Sequence, residues 1–356
     1  KIAMNIKEIL QFLIDNEGSD IHIIPGSPLS IRINGILSFP AGPQLLGPDQ
    51  TEPWIFDLLS EEQKKKLKEE KEIDLAYQFG NNARFRVCVY QHLGQYAAAL
   101  RLIPQTIKNI DELALPKIFH TFGEYNQGLV LFTGPTGEGK STSLAAIIDE
   151  INHNHSRHII TIEDPVEFVY KPDKSVVSQR EVGKDTHQWH LALRSALRSD
   201  PDVVLVGEMR DLETIAATLT LAETGHLVFA TIHTNTAAQT IDRIIDVFPA
   251  HQQGQIRQQL ASVLKAIVSQ RLVTKIQGGR IAAVELLFNN PAVANLIRDE
   301  KVFQIDTVIQ TNVNSGMMLM ETHLLELYKQ HVISKETAIS SAFRPTDMMR
   351  LLDEEG

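Results

Sequence analysis

The chain has two patterns of hydrophobic and polar residues, and the first gives way to the second near residue 104. Before that point, short segments alternate apolar and polar residues, which is the period of strands buried on one face. Beyond residue 112, continuous apolar runs alternate with stretches whose apolar residues recur every three or four positions, a pattern typical of a parallel sheet with crossover helices. We therefore predict an α/β protein with an α+β domain at residues 1–104, a hinge linker at 105–112 and a second domain at 113–356, helical from about residue 291.

The first domain combines helical and strand-like segments. An amphipathic helix is predicted over Asn5–Asn16, and the charged segment Ser60–Glu72 has the length of a helix with a solvated face. Asn34-Gly35 is a strong hairpin signal. The predicted strands are Ile21–Ile24, Ser30–Ile33, Ile36–Leu37, Leu75–Phe79, Phe85–Tyr90 and Ala97–Ile103.

The second domain carries the strands of the parallel sheet. They are predicted at Leu129–Thr133, Ile159–Ile162, Val203–Val206 and Leu227–Thr231, with a further pair near Leu272–Lys275 and Ala282–Leu287.

A glycine-rich loop between the first of these strands and the next helix fits the phosphate-loop pattern G-x-x-x-x-G-K-[ST]. Such glycines let backbone N–H groups surround a polyphosphate at the N-terminus of a helix. Lys140 is expected to reach the β- and γ-phosphates, and the Ser141 hydroxyl to hold Mg²⁺. The sequence therefore predicts a nucleoside triphosphate site. Its binding residues are Gly134, Pro135, Thr136, Gly137, Glu138, Gly139, Lys140, Ser141 and Thr142.

Composition narrows the class of protein. Of the 356 residues, 43% are apolar, and no apolar run approaches the roughly 18 residues that span a bilayer. The formal net charge of −10 gives no overall basic field for nucleic acid. The single cysteine, Cys88, excludes an internal disulfide and a cysteine-based zinc site. No signal peptide is visible, and we expect the natural chain to begin at Met4.

Polar residues follow the strands of the second domain, where an open α/β sheet binds its ligand. Glu163-Asp164-Pro165-Val166-Glu167 follows one strand, and Glu208 follows the apolar run Val203–Val206. We expect Glu208 to orient Mg²⁺ directly or through water. The alternative for the 163–167 segment, a helix cap by Asp164 before Pro165, explains Asp164 but not Glu163 and Glu167. His226 and His233 flank the next strand, which favours a role near the γ-phosphate over a purely structural one.

These motifs resemble those of the secretion-type traffic ATPases, and the resemblance extends over nearly the whole chain. Residues 163–167 are similar to the Asp box of that family, residues 207–211 to its Walker B segment, and residues 225–234 to its His box. Residues 222–226, 241–249 and 292–300 resemble the pilus-retraction subfamily. Ala294 stands where that subfamily has an arginine, and Glu138 stands where its phosphate loop most often has a serine.

The resemblance implies a RecA-like phosphate-loop ATPase domain preceded by a small PAS-like domain. It also implies that Arg86 and Arg101, with Arg84 nearby, reach the nucleotide phosphates and stabilise transition-state charge. Arg271, which follows Gln270 and precedes an apolar strand, is expected to be another arginine that senses the nucleotide. Arg194 and Arg198 are predicted on one helix, where they either contact a neighbouring subunit or face solvent.

The resemblance further implies a homo-hexameric ATPase that uses ATP and Mg²⁺ to retract type IV pili, as in twitching motility. Glu163 is the first choice for the residue that orients or deprotonates water, and Glu167 the second. We expect a cytoplasmic motor at the inner-membrane base of the pilus, associated with the membrane only through a platform protein, and no nucleic-acid partner. The alternatives are an extension, secretion or accessory ATPase, or a nucleotide-binding ring adaptor without productive turnover.

Overall fold

The structure is a computed structural model that describes residues 4–16, 18–33, 36–80, 83–103 and 106–354. It divides into one unit of residues 1–106 and 165–169 and another of residues 107–164 and 170–356. The sequence did not predict that residues 165–169 group with the first unit. The predicted turn at Asn34-Gly35, residue 104 at the end of the predicted first domain and residue 105 of the predicted linker lie outside the described residues.

The first unit is built on a six-stranded antiparallel sheet with the strand order β3-β2-β1-β6-β5-β4. One face of the sheet forms a hydrophobic core with the helices, in which Ile9, Ile55 and Phe85 are fully buried. The elements are α1 (Ile6–Asp15), β1 (Gly18–Ile23), β2 (Ser30–Ile33), β3 (Ile36–Ser38), α2 (Pro48–Phe56), α3 (Glu61–Glu70), β4 (Glu72–Phe79), β5 (Ala83–His92) and β6 (Gln95–Ile103).

Local sequence explains most of these elements. The Asn5 side chain accepts a hydrogen bond from the Glu8 backbone, and the Glu8 carboxylate accepts one from the Asn5 backbone, which together start α1. Ser60 and Gln63 start α3 in the same way. The pattern of the sequence did not predict α2, because Pro53 lies inside this helix and its apolar residues form a weak pattern.

The second unit contains a seven-stranded sheet with the order β13-β12-β7-β11-β10-β8-β9, parallel except for β13. The predicted fold class, a parallel α/β sheet after an α+β unit, is confirmed. The strands are β7 (Gly128–Thr133), β8 (His158–Glu163), β9 (Val176–Glu181), β10 (Val203–Val206), β11 (Leu227–Ile232), β12 (Leu264–Thr274) and β13 (Arg280–Phe288).

Helices cover this sheet and continue to the end of the described chain. The predicted helix bearing two arginines is shorter than expected: α5 ends at Ala196, so Arg194 lies on it and Arg198 follows it in a turn. The helices are α4 (Lys140–Asn154), α5 (Trp189–Ala196), α6 (Leu212–Glu223), α7 (Ala237–Asp246), α8 (Ala250–Val263), α9 (Pro291–Arg298), α10 (Ile305–Thr311), α11 (Met320–Lys329), α12 (Lys335–Ser341) and α13 (Pro345–Glu354), with 3₁₀ turns at Lys117–Glu124, Val302–Gln304 and Val313–Ser315. None of the described helices has both the length and the apolar character to cross a membrane.

The parallel register brings the ends of four strands to one edge of the sheet. Thr133 of β7 lies opposite Ile232 of β11, and Val206 of β10 lies between Ala230 of β11 and Ile162 of β8. The segments that follow these strands therefore start side by side, and they include the phosphate loop.

Candidate functional site

The phosphate loop has the backbone that its glycines permit. Gly134, Gly137 and Gly139 have φ angles of 142°, 87° and 79°, which residues with a Cβ rarely adopt. A Cβ at position 134 would also collide with the carbonyl oxygen of Gln270 on β12. Because α4 begins at Lys140, the loop ends at the N-terminus of a helix of 15 residues, where free amides and the helix dipole favour an anion.

Lys140 lies beneath this loop. Its Nζ donates hydrogen bonds to the carbonyl oxygens of Gly134, at 2.6 Å, and Pro135, at 2.8 Å. The side chain is buried, with 7% of the residue exposed. The ammonium group is thus held at the base of the loop, where its charge can act on a phosphate bound by the loop amides.

The Glu138 side chain is half-buried and contacts β12. Its Oε2 accepts a hydrogen bond of 2.5 Å from the Leu272 backbone amide on β12. The Glu138 carbonyl oxygen accepts one of 2.6 Å from Gln270 Nε2, and Gln270 Oε1 accepts one from Ser143 on α4. Glu138 therefore ties the phosphate loop to β12, and its carboxylate is engaged away from the loop amides.

Glu208 lies just past the end of β10 between two basic side chains. Its Oε1 is 3.0 Å from His233 Nε2, and its Oε2 is 2.7 Å from Arg210 Nη2. Partial burial acts to raise the pKa of Glu208, but the hydrogen bond from Arg210 and the charges of His233, Arg210 and Lys140 outweigh it and lower the pKa. The Glu208 carboxylate is therefore an anion at neutral pH. His233, which it contacts, follows the end of the neighbouring strand β11.

Glu163 ends β8, beside Glu208. It is buried, with 9% of the residue exposed, and its Oε1 accepts hydrogen bonds from Thr161 Oγ1 at 2.6 Å and Gln179 Nε2 at 3.5 Å. A Cβ on Gly207 would lie only 3.2 Å from the Glu163 Cα atom, so glycine lets the two strand ends approach. Glu167 falls in the segment that groups with the first unit.

His226 lies at the other end of the strands, opposite to the end that carries the phosphate loop. It precedes β11, its carbonyl oxygen accepts from Gly128 at the start of β7, and its Nδ1 is 2.9 Å from the Leu221 carbonyl oxygen. Six residues of strand separate it from the edge that carries the phosphate loop, which corresponds to about 20 Å. His226 therefore lies far from the loop of its own chain, and its role near the γ-phosphate stays a prediction.

Arg271 lies on the face of β12 that is turned away from α4. Successive side chains of a strand alternate between faces, and Gln270 faces Ser143 of α4. Arg271 instead donates to the Ser341 carbonyl oxygen, at 2.9 Å, and its guanidinium carbon lies 4.8 Å from the centre of the Phe343 ring. These contacts hold the Arg271 side chain against the C-terminal helices, and its role as a nucleotide sensor stays a prediction.

The arginines of the first unit are neighbours on its sheet. Arg86 of β5 and Arg101 of β6 lie directly opposite each other, and Arg84 is two residues away on the same face. Arg101 Nε also donates to Asp20 Oδ1 of β1, at 2.8 Å, while 68% of its side chain remains exposed. The pair therefore presents two guanidinium groups on one face, anchored on one side by Asp20.

The residues that could hold Mg²⁺ are few. Ser141, on the first turn of α4 after β7, and Glu208, just past the end of β10, are oxygen donors on segments that follow two strands separated by β11. Across residues 4–354, apart from the undescribed gaps, no group of three or more histidine, cysteine or acidic side chains forms a metal cage. This donor set suits Mg²⁺, which is usually bound by one or two protein oxygens together with substrate phosphates and water.

Sequence reasoning missed Gln270, which joins the phosphate loop to α4 through both ends of its amide. It also missed two threonines behind the site. Thr133 Oγ1 donates to the Thr234 carbonyl oxygen and Thr231 Oγ1 to the Gly207 carbonyl oxygen, each at 2.5 Å. The only signal in the sequence was a polar residue at the end of an otherwise apolar strand.

Known proteins provide an independent comparison. The sequence profile of the family described as Type II/IV secretion system protein matches residues 1–351. The type IV pilus retractation ATPase PilT of Pseudomonas aeruginosa is 44% identical over 342 residues, which cover 96% of this chain and 99% of PilT. The type IV pilus ATPase PilU of the same organism is 38% identical over 350 residues, 98% of this chain and 91% of PilU. A crystal structure of the pilus retraction motor PilT with bound ADP has a TM-score of 0.89 at 46% identity and covers 98% of this chain and 99% of its own.

Proposed function

Because this chain belongs to the type II/IV secretion system protein family, we propose that it is an ATP-hydrolysing motor that powers retraction of type IV pili. One observation carries the enzymatic part: the phosphate loop and the Glu208–His233 pair follow strands that end at the same sheet edge. The higher identity to PilT than to PilU favours the retraction motor over an accessory ATPase.

In this proposal the loop amides and Lys140 hold the triphosphate of ATP. Ser141 and Glu208 would hold Mg²⁺, directly or through water, and the bound cation would offset charge on the phosphate oxygens. Glu163 orients the attacking water and accepts its proton, since it is a buried carboxylate already fixed by Thr161. Glu167 is the second candidate for that role. His233 keeps Glu208 in place through its ring nitrogen.

Arg86 and Arg101 are proposed to stabilise charge on the γ-phosphoryl group as it leaves. Paired guanidinium groups are planar donors suited to phosphate, and such arginines are worth about 4–7 kcal/mol in well-studied cases. Because they lie on the first unit, closure of one unit on the other would couple turnover to movement. From the family resemblance we also propose a cytoplasmic homo-hexamer that acts on a platform protein at the inner-membrane base of the pilus.

The test combines turnover with motility. We expect ATP hydrolysis by the wild type, loss of more than 90% of it in Glu208→Ala, and a loss of at least tenfold in kcat for Arg101→Ala. Lys66→Ala, an exposed ion-pair substitution on α3, serves as the control. The wild-type gene should restore pilus retraction to a strain that lacks its own retraction motor.

Three outcomes would contradict the proposal in different ways. Equal background rates in the wild type and Glu208→Ala would favour a nucleotide-binding adaptor. Robust turnover without restored retraction would favour an extension, secretion or accessory motor. Full activity in both Arg86→Ala and Arg101→Ala would remove the arginines from the mechanism.

A further inference from the structure

Residues 233–237, which join β11 to the first turn of α7, contact other parts of the sheet at three points. His233 contacts Glu208, and the Thr234 carbonyl oxygen accepts from Thr133, the residue before the phosphate loop. The third point is the backbone amide of Ala237, the first residue of α7, which donates to Glu285 Oε1 at 2.9 Å. The first two contacts belong to the site described above, whereas the third involves the strand β13.

Glu285 is an unusual residue for its position. The residue is completely buried, and its second oxygen, Oε2, has no hydrogen-bond partner among the described residues. Burial raises the pKa of Glu285 to about 7, against the hydrogen bond from Ala237. A buried carboxylate is costly, and an apolar residue of similar volume is often neutral or stabilising in such a place. Packing alone therefore gives no reason for a glutamate here.

The second oxygen of Glu285 faces a cluster formed by the C-terminal helices. It lies 4.0 Å from Arg344 Nη2. Arg344 donates from Nη1 and from its backbone amide to Glu321 of α11, each at 2.7 Å, and its Nη2 also contacts Asp306 of α10. Three carboxylates from β13, α10 and α11 thus converge on one guanidinium, so a shift of these helices changes the electrostatic environment of Glu285.

A row of polar side chains leads from this cluster back to the phosphate loop. Glu285 of β13 pairs with Ser269 of β12, and Ser269 pairs with Thr133 of β7. Paired residues of adjacent strands share a face of the sheet. Ser269 is completely buried, and its hydroxyl likewise lacks a partner among the described residues. One face of the sheet therefore carries a row of three polar residues, Thr133, Ser269 and Glu285, which ends beside Arg344.

We propose that Glu285 is a positioning residue for the ATPase site and that Arg344 makes its action depend on the C-terminal helices. Glu285 holds the first turn of α7 and, through it, the segment 233–236 that presents His233 to Glu208. The C-terminal helices thereby influence turnover without contacting nucleotide. This inference rests on the proposed ATPase function, and its test includes a measurement that does not require turnover.

That measurement is hydrogen–deuterium exchange of the backbone amides in residues 233–240 of the full-length protein. We expect Glu285→Ala and Arg344→Met to accelerate exchange there at least fivefold. Glu285→Gln keeps an oxygen acceptor for the Ala237 amide and should stay closer to wild type. Arg350→Met is the matched control, because Arg350 is an exposed arginine on α13, in the same C-terminal segment. Unchanged exchange in Arg344→Met relative to Arg350→Met would overturn the link to the C-terminal helices, even if Glu285→Ala did not fold.

Turnover then separates positioning from a general loss of structure. We expect Glu285→Ala to lower kcat about tenfold while the affinity for fluorescent ADP stays within threefold. In a His233→Ala background, the additional loss should be less than twofold, because both changes act through the same segment. Independent, multiplicative losses would overturn the inference. Absence of turnover in the wild type itself would instead refute the proposed function, and the exchange result would still decide the role of Glu285.

Discussion

The acidic residue in the phosphate loop allows a sharp prediction, because its charge and its hydrogen bond act in opposite directions. The Glu138 carboxylate adds a negative charge to a loop that binds anions, which on Coulombic grounds weakens nucleotide binding. The same carboxylate accepts from the Leu272 amide and fixes the loop to β12. Substitutions that remove one effect at a time should therefore give different results.

Glu138→Gln removes the charge and retains an acceptor, whereas Glu138→Ala removes both. The Leu272 amide is half-buried, so losing its acceptor should cost about 1 kcal/mol, the lower end of the range for an unsatisfied donor. For a unit of this size that corresponds to a fall of about 2–4 °C in Tm. We expect Glu138→Gln to keep the wild-type Tm within about 1 °C and to bind nucleotide up to about fivefold more tightly.

The assay is titration calorimetry with ADP and Mg²⁺ at two salt concentrations, together with thermal unfolding without nucleotide. Screening by salt should reduce the affinity gain of Glu138→Gln. Glu138→Ser should show nearly compensating effects, with affinity within about tenfold of the wild type. A hundredfold gain in affinity for Glu138→Ser would refute the reasoning, since it would mean that the carboxylate faces the bound phosphates.

Three other predictions concern one buried polar residue behind the site, Gln270, and two titratable residues elsewhere, His323 and Asp20. Gln270→Leu leaves the buried Ser143 hydroxyl and the Glu138 carbonyl without their partner, so we expect a loss of about 2 kcal/mol in chemical unfolding and severalfold weaker ADP binding; unchanged values would contradict the loop–strand link. Burial lowers the pKa of His323 to about 4, and its Nδ1 accepts from the Val284 amide, so stability is complete above about pH 6.5 and falls as the pH drops toward 4. His323→Asn, which keeps an acceptor and cannot titrate, should flatten that part of the Tm-versus-pH curve. Burial acts to raise the pKa of Asp20, but the Ser19 hydroxyl and Arg101 outweigh it and lower the pKa, so the Asp20 contribution is complete above pH 3.8 and is lost as the pH falls further; Asp20→Asn should lower Tm at pH 7 and remove part of this acid loss.

Much of the architecture could be predicted because its signals are local. β10 spans Val203–Val206 as the apolar run indicated, and α1 has the capping residues that the sequence displays. The edge strand β9 was missed, since Ser178, Gln179 and Arg180 interrupt its apolar pattern. An edge strand is buried less, so its sequence carries a weaker signal.

The side-chain environment of the site was less predictable, because it depends on contacts between distant parts of the chain. The partner of Glu138 is 134 residues away on β12, and no local pattern points to it. His226 and His233 flank the same strand, so they lie at its two opposite ends. Because β11 runs parallel to β7, the end with His233 is the one that lies beside the phosphate loop. Knowledge of the strand direction, which follows from the βαβ pattern, would have been enough to separate them.

Two adjacent residues of β12 contact different parts of the second unit. Gln270 faces α4 and holds the phosphate loop, whereas Arg271 faces the C-terminal helices and packs on Phe343. Glu285 lies on the same face as Arg271, because its pairing partner Ser269 precedes Arg271 by two residues. One face of this strand therefore serves nucleotide binding and the other serves the C-terminal helices. A displacement of β12 along its own axis would move the residues of both faces together. Nucleotide binding and the arrangement of the C-terminal helices can therefore depend on each other through this strand.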